Sequence, residues 1–178
     1  AWITMGTPTA YDCCFGPITQ KLIQNAGIDS DSSVLVPYFT EIAKNLELYD
    51  DLSQVRKNAI KTTGLSDEQI NRIITPLEGI YLIIDHIRTL IFDGALPSNV
   101  GGGYNLRIML RRIVSTMDRL KLKFDLDEII DIQIDYLKNT YPELEKTRED
   151  VKEIISIETG RYDSSKQRMQ KIVSKLDN

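Results

Sequence analysis

The sequence predicts an all-α protein, an irregular multi-helix bundle whose long C-terminal helix projects. Three observations carry this. The β-branched residues recur at spacings of three and four, not in the alternation of strands. Glycines fall just past candidate helix ends, where a left-handed residue closes the last turn. Ser66/Gln69, Thr75/Glu78 and Thr140/Glu143 each place a hydroxyl three residues before an acceptor side chain, the pattern of a reciprocal N-terminal cap.

After a loop rich in Thr, Gly and Pro, a first helix is expected from Tyr11 or Pro17 to Ala26, closed by Gly27. Residues 29–33 read as a polar linker. A second helix is expected from Pro37, well suited to a first turn, to Leu48, and a third over Leu52–Thr62, stopped by Gly64. The helix opened by Ser66 must kink or restart at Pro76, which has no amide proton. It then runs through Ile80, Ile83, Ile84, Ile87 and Ile91 to Gly94. Thr140 and Glu143 launch a charged helix to Leu176, on the order of 50 Å long, with Gly160 its weak point. No small body covers so long a helix on all sides, so part of it should project or meet another domain.

A chain of 178 residues, 42% hydrophobic and 27% charged, fits one domain with an appendage. No apolar run approaches the roughly 18 residues of a membrane span, and no signal peptide is evident. Cys13 and Cys14 are adjacent, which disfavours a bridge, and they do not make a four-ligand zinc site with one distant histidine; a reducing, cytoplasmic setting is expected. A net charge of −4 excludes a uniformly basic nucleic-acid grip, so any polyanion must meet a local patch. The start without methionine and the stop in mid-helix lead us to expect a piece of a longer protein.

That patch lies in Asp93–Arg112. Three consecutive glycines, Gly101, Gly102 and Gly103, point to unusual dihedrals or to close approach of another molecule to the main chain. Beyond them Leu106, Leu110, Ile113, Met117 and Leu120 share one helical face, and Arg107, Arg111, Arg112, Arg119 and Lys123 fall on the opposite arc, broken by Asp118. Residues 104–123 hold six basic side chains and one acidic, a local charge of +5. Free amides at a helix start and forked guanidinium groups both suit phosphate, while the Asn99 amide can donate and accept, as reading a base edge requires. Taken alone, a basic helical face is more often simply solvated. The glycines are not a P-loop, since neither Lys-Ser nor Lys-Thr follows them.

The run Asp85-His-Ile-Arg88, Asp93-Gly-x-x-Pro-Ser-Asn99, Gly103-Tyr104, Arg107 and Arg111-Arg112 resembles the signature of the alanyl-tRNA synthetase family, and Gly6-Thr-Pro-Thr-x-Tyr-Asp12 resembles its archaeal form. The resemblance implies a class II synthetase that joins alanine to tRNA using ATP. Residues 1–12 would end its catalytic domain, 13–141 would form a helical tRNA-recognition domain, and 142–178 would lead toward a downstream domain. It implies the tRNA(Ala) acceptor stem as partner, with its G·U pair read at Asn99 and Ser98, Gly101, Gly102, Gly103, Tyr104, Arg107, Arg111 and Arg112 around it. The enzyme's own catalytic and editing domains are the other implied partners; DNA and membrane are not. ATP and Mg belong to the catalytic domain and Zn to the editing domain, so this chain alone should carry no catalytic residue, no cofactor and no adenylation activity. Many members have arginine where this chain has Gly102, and Tyr162-Asp163 does not match the context of the family's downstream Tyr-Asp pair. A competing reading is a helical protein-interaction module that binds no RNA.

Two clusters read as structural. His86, on a helix rich in isoleucine, is expected to be packed, with Asp85 and Arg88 either reaching the Asn99 loop or forming a surface pair. Asp125, Asp127, Glu128, Asp131 and Asp135 are expected to be a solvated face that repels misplaced RNA, not a cation site.

Overall fold

The computed structural model describes residues 6, 9–28, 32–46, 48–94 and 97–176, and among these there are helices and turns but no strand. In chain order the helices are α1 (Ala10–Phe15), α2 (Pro17–Asn25), α3 (Ser32–Leu46), α4 (Leu52–Thr63), the single turn α5 (Asp67–Gln69), a π-helical turn (Ile70–Ile74), α6 (Thr75–Asp93), α7 (Gly101–Leu120), α8 (Leu126–Leu137) and α9 (Leu144–Leu176). They form two compact units, residues 1–81 and 82–178, divided within α6.

In the first unit, Gly16 (φ 62°) separates α1 from α2, which the sequence read as one helix. At the end of α2, Gly27 takes φ +63° and donates to Gln24 O, while Ile28 donates to Ile23 O, the paired bonds of a left-handed helix stop. Helix α3 begins five residues before the expected start. Pro37 lies inside it and forfeits one helical bond, yet the preceding turn buries Val34 and Leu35, and Tyr38 beyond it is fully enclosed. Of the expected linker, residues 29–31 lie outside the described residues, and Ser32 and Ser33 are helical.

α3 packs against α4, which Asp51 caps and Gly64 (φ +68°) stops. Ser66 and Gln69 make the expected reciprocal cap: Gln69 N donates to Ser66 Oγ at 3.2 Å and Ser66 N to Gln69 Oε1 at 3.0 Å. Thr75 and Glu78 do not repeat it. They lie within a continuing helix and serve tertiary structure instead. Arg56 donates to Thr75 Oγ1 at 3.1 Å and to Glu78 at 3.1 Å, and Tyr38 Oη donates to Glu78 at 2.5 Å. Burial, then the neighbouring Glu78 carboxylate, pushes the Tyr38 phenol well above its ordinary value. The expected interruption near Pro76 is the π-helical turn ahead of it, where Thr75 N donates to Ile70 O, five residues back. One extra residue in the turn lets the chain pass the proline without stopping.

In the second unit, Ile83, Ile84, Ile87 and Ile91 are at most 1% exposed, as their spacing predicts, and Gly94 (φ +61°) closes α6. Fully buried Gln133 of α8 accepts from Arg88 Nε at 2.9 Å and donates to Ile84 O at 3.2 Å, tying α8 to α6. His86 is largely enclosed, its Nδ1 3.3 Å from Asp85.

α9 packs on both α7 and α8. Its first turn is closed by backbone bonds from Leu144, Glu145 and Lys146 to the carbonyls three residues before each, in place of the expected Thr140–Glu143 cap. Leu144, Val151, Ile155 and Glu158 are its buried positions, and every residue from 163 to 175 is exposed, so the distal part of the long C-terminal helix buries little against this unit. The acidic face of α8 is not merely solvated. Asp131 accepts from Arg148 at 2.8 Å and from Lys152 at 2.8 Å, and Asp135 accepts from Arg148 at 2.8 Å. Both cations come from α9.

Candidate nucleic-acid interface

The segment before α7 is shaped by small polar contacts. Ser98 N donates to Gly103 O at 2.9 Å, folding residues 98–100 back on the helix start, and Ser98 Oγ accepts from Val100 N at 3.3 Å and donates to Val100 O at 2.6 Å. Val100, in extended backbone, brings no side-chain cap to the first-turn amides. Of the three glycines only Gly101 (φ +61°) uses a conformation that residues with a side chain rarely adopt. Gly102 and Gly103 are already helical, so the expected glycine loop is in fact the first turn of α7. A Cβ on Gly102 would meet nothing within 4 Å, which leaves room there for a larger residue. Ala95 and Leu96 lie outside the described residues.

Along α7, Leu106, Leu110 and Ile113 are buried and Arg111, Arg112 and Arg119 exposed, the two-faced helix expected from the spacing. Two residues depart from it. Lys121 adopts the left-handed conformation (φ 55°) and ends the helix, placing Lys123 beyond it. Arg107, expected on the outer arc, has only 17% of its side chain exposed. Its Nη1 donates to Asn99 Oδ1 and its Nη2 to Glu158 Oε1 at 3.2 Å. Arg161 Nη1 donates to the same Glu158 oxygen. Burial raises the Glu158 carboxyl, but the bonds from Arg161 and Arg107 outweigh it and hold the group below the usual carboxylate range.

The result is a polar groove of about 630 Å³ between the start of α7 and the middle of α9, lined by Asn99, Arg107 and Arg111 from one side and by Glu158, Arg161, Ser164, Ser165 and Arg168 from the other. A second groove of about 460 Å³ adjoins it through Arg111 and carries Arg112, Arg119 and Tyr162. Asn99, Arg107, Arg111 and Arg112, picked out from sequence, thus come together. Ser98 and the glycines shape the approach, and Tyr104 is half-exposed on the first turn outside either groove. Lys166 of α9 bonds Asp118 at 2.6 Å, neutralising the one acidic break in the α7 face. Sequence reading missed the α9 wall. Its signal was present as Arg161, Ser164, Ser165 and Arg168 at spacings of three, four and seven, the repeat of one helical face. Among the described residues no three His, Cys, Asp or Glu side chains converge to hold a metal ion, and no helix is long and apolar enough to cross a membrane.

Arginines and an asparagine amide thus line one groove on a scaffold that is helical among the described residues. Residues 2–177 match the family described as tRNA synthetases class II (A), and the chain belongs to it. It is 63% identical to the alanine–tRNA ligase of Nitrosopumilus maritimus (strain SCM1) over 99% of this chain and 20% of that protein. The alanine–tRNA ligase of Cenarchaeum symbiosum (strain A) is 54% identical over the same shares, and that of Methanothermobacter thermautotrophicus 39% identical over 98% of this chain and 20% of that protein. The chain therefore spans about a fifth of the length of these relatives.

Proposed function

We propose that this chain is the tRNA-recognition part of an alanine–tRNA ligase, that the groove between α7 and α9 receives the acceptor stem of tRNA(Ala), and that Asn99 reads its G·U pair. The observation that carries the reading is the position of Asn99: its amide is exposed at the head of a basic helix, at the edge of a groove that four arginines line. Guanidinium groups hold phosphates without regard to sequence, whereas an amide at the same edge can distinguish bases. Adenylation of alanine, with its ATP and Mg, and editing, with its Zn, belong in this reading to other parts of the ligase, as the family resemblance implies.

Titrating acceptor-stem hairpins that carry G·U or G·C tests this. Tighter binding of the G·U hairpin, with the preference removed by Asn99→Ala, is the expected result; equal affinities that Asn99→Ala leaves unchanged would overturn it. Arg111→Ala should weaken both hairpins alike and lower the salt slope of binding by about one. The reading as a protein-interaction module draws on the exposed Met169, Ile172 and Val173 at one turn's spacing on α9, and it predicts no saturable RNA binding at moderate salt.

A further inference from the structure

A base-reading amide has a weakness. Its terminal torsion is two-fold, so a free asparagine can present oxygen or NH2 at the same place and fail to tell an acceptor from a donor. The groove contains a device that removes this freedom. A guanidinium has donors and no acceptor, so the edge of Asn99 that meets Arg107 must be its oxygen. The NH2 edge is then turned away from Arg107, and no described residue accepts from it. Arg107 is in turn held by Glu158, 5% exposed and on a different helix, which accepts from it at 3.2 Å and from Arg161 on its own helix. A carboxylate this enclosed stays charged because two cations surround it, and so it anchors them.

We propose that Glu158 is a positioning residue for base recognition: through Arg107 it sets which way round the Asn99 amide faces the RNA. This rests on the reading of Asn99 as the base contact. Loss of Glu158 frees Arg107, lets the amide turn over, and removes the preference for G·U, whatever it does to the phosphate contacts that both hairpins share. A merely structural contact between α7 and α9 would instead weaken both hairpins by the same factor.

The test uses this chain with Glu158→Ala, Glu158→Gln and Arg107→Lys, with folding checked by circular dichroism. The side-chain amide resonances of Asn99, assigned by their disappearance in Asn99→Ala, report the positioning without RNA. In the unsubstituted chain they should lie away from the solvated-amide position; Glu158→Ala and Arg107→Lys should bring them to it. Glu158→Gln keeps an acceptor for Arg107 and should retain most of the displacement. The ratio of G·C to G·U dissociation constants should fall about fivefold or more in the first two variants and less in the third. Asn99 resonances unmoved by Glu158→Ala and Arg107→Lys would overturn the proposal, as would an unchanged ratio in chains that discriminate. If the unsubstituted chain binds both hairpins equally, base reading fails by itself and the amide resonances still decide whether Glu158 positions Asn99. Should Glu158→Ala not fold, Arg107→Lys carries the same two readouts.

Discussion

Gly101 and Gly102 are adjacent and look interchangeable, but they differ in what backbone they hold. Gly101 sits at φ +61°, where a Cβ is strained whatever the space around it, whereas Gly102 is helical with open space at its Cβ position. Gly102→Ala should therefore stabilise the chain by about 0.4–1 kcal/mol through reduced freedom of the unfolded state, and Gly101→Ala should destabilise it by about 1 kcal/mol or more. Urea unfolding of both variants gives the comparison, and a stabilising Gly101→Ala would contradict the assigned backbone. A side chain at position 102 meets open space on a helical backbone, so the fold tolerates it.

At the scale of elements, α9 is held by charge on two sides. Arg148 and Lys152 meet Asp131 of α8, and Glu158 meets Arg107 of α7. Burial raises the Asp131 carboxyl, yet hydrogen bonds from Lys152 and Arg148 prevail and hold it below its ordinary value, as Arg161 and Arg107 do for Glu158. A depressed folded-state carboxylate contributes stability that is present above its unfolded value, about 3.9 for Asp and 4.3 for Glu, and is lost as pH falls through the lower folded value. Melting temperature should thus fall steeply below about pH 4, with the slope reduced in Asp131→Asn. A melting temperature flat from pH 6 to pH 3 would show that these bonds do not distinguish the folded chain from the unfolded one. Element ends were readable where a single residue decides them, as at Gly27, Gly64 and Gly94. They were misread at Pro37, Thr75 and Thr140, because a cap forms only where the helix begins, and burial of Val34 and Leu35 moved one start while the π-helical turn carried another helix through.

Across the whole molecule, the net charge of −4 conceals a separation: acidic residues concentrate on α8, where α9 pairs with several of them, and arginines concentrate along α7 and on the α9 turns that face it. The second unit therefore carries a basic surface on α7 and α9, and under the proposed function competing DNA duplexes should bind weakly and lose what affinity they have as salt rises from 50 to 200 mM. Because residues 163–175 are exposed throughout, ending the chain after Arg168 should alter unfolding free energy by no more than about 0.5 kcal/mol. A larger loss would mean that the distal turns of α9 are covered in solution.

Helical class, the isoleucine face of α6, the glycine stops and the two-faced character of α7 follow from residues within a few positions of one another, and such spacing is visible in a linear string. Half of the candidate site was visible on the same terms, since Asn99, Arg107, Arg111 and Arg112 lie within one loop and the helix it opens. The other half required folding. Glu158 faces Arg107 across 51 residues, and nothing local distinguishes it from the other glutamates of α9. Its burial turns Arg107 from an outward phosphate contact into the strut of Asn99, because an enclosed carboxylate must take its donors from whichever helix packs against it.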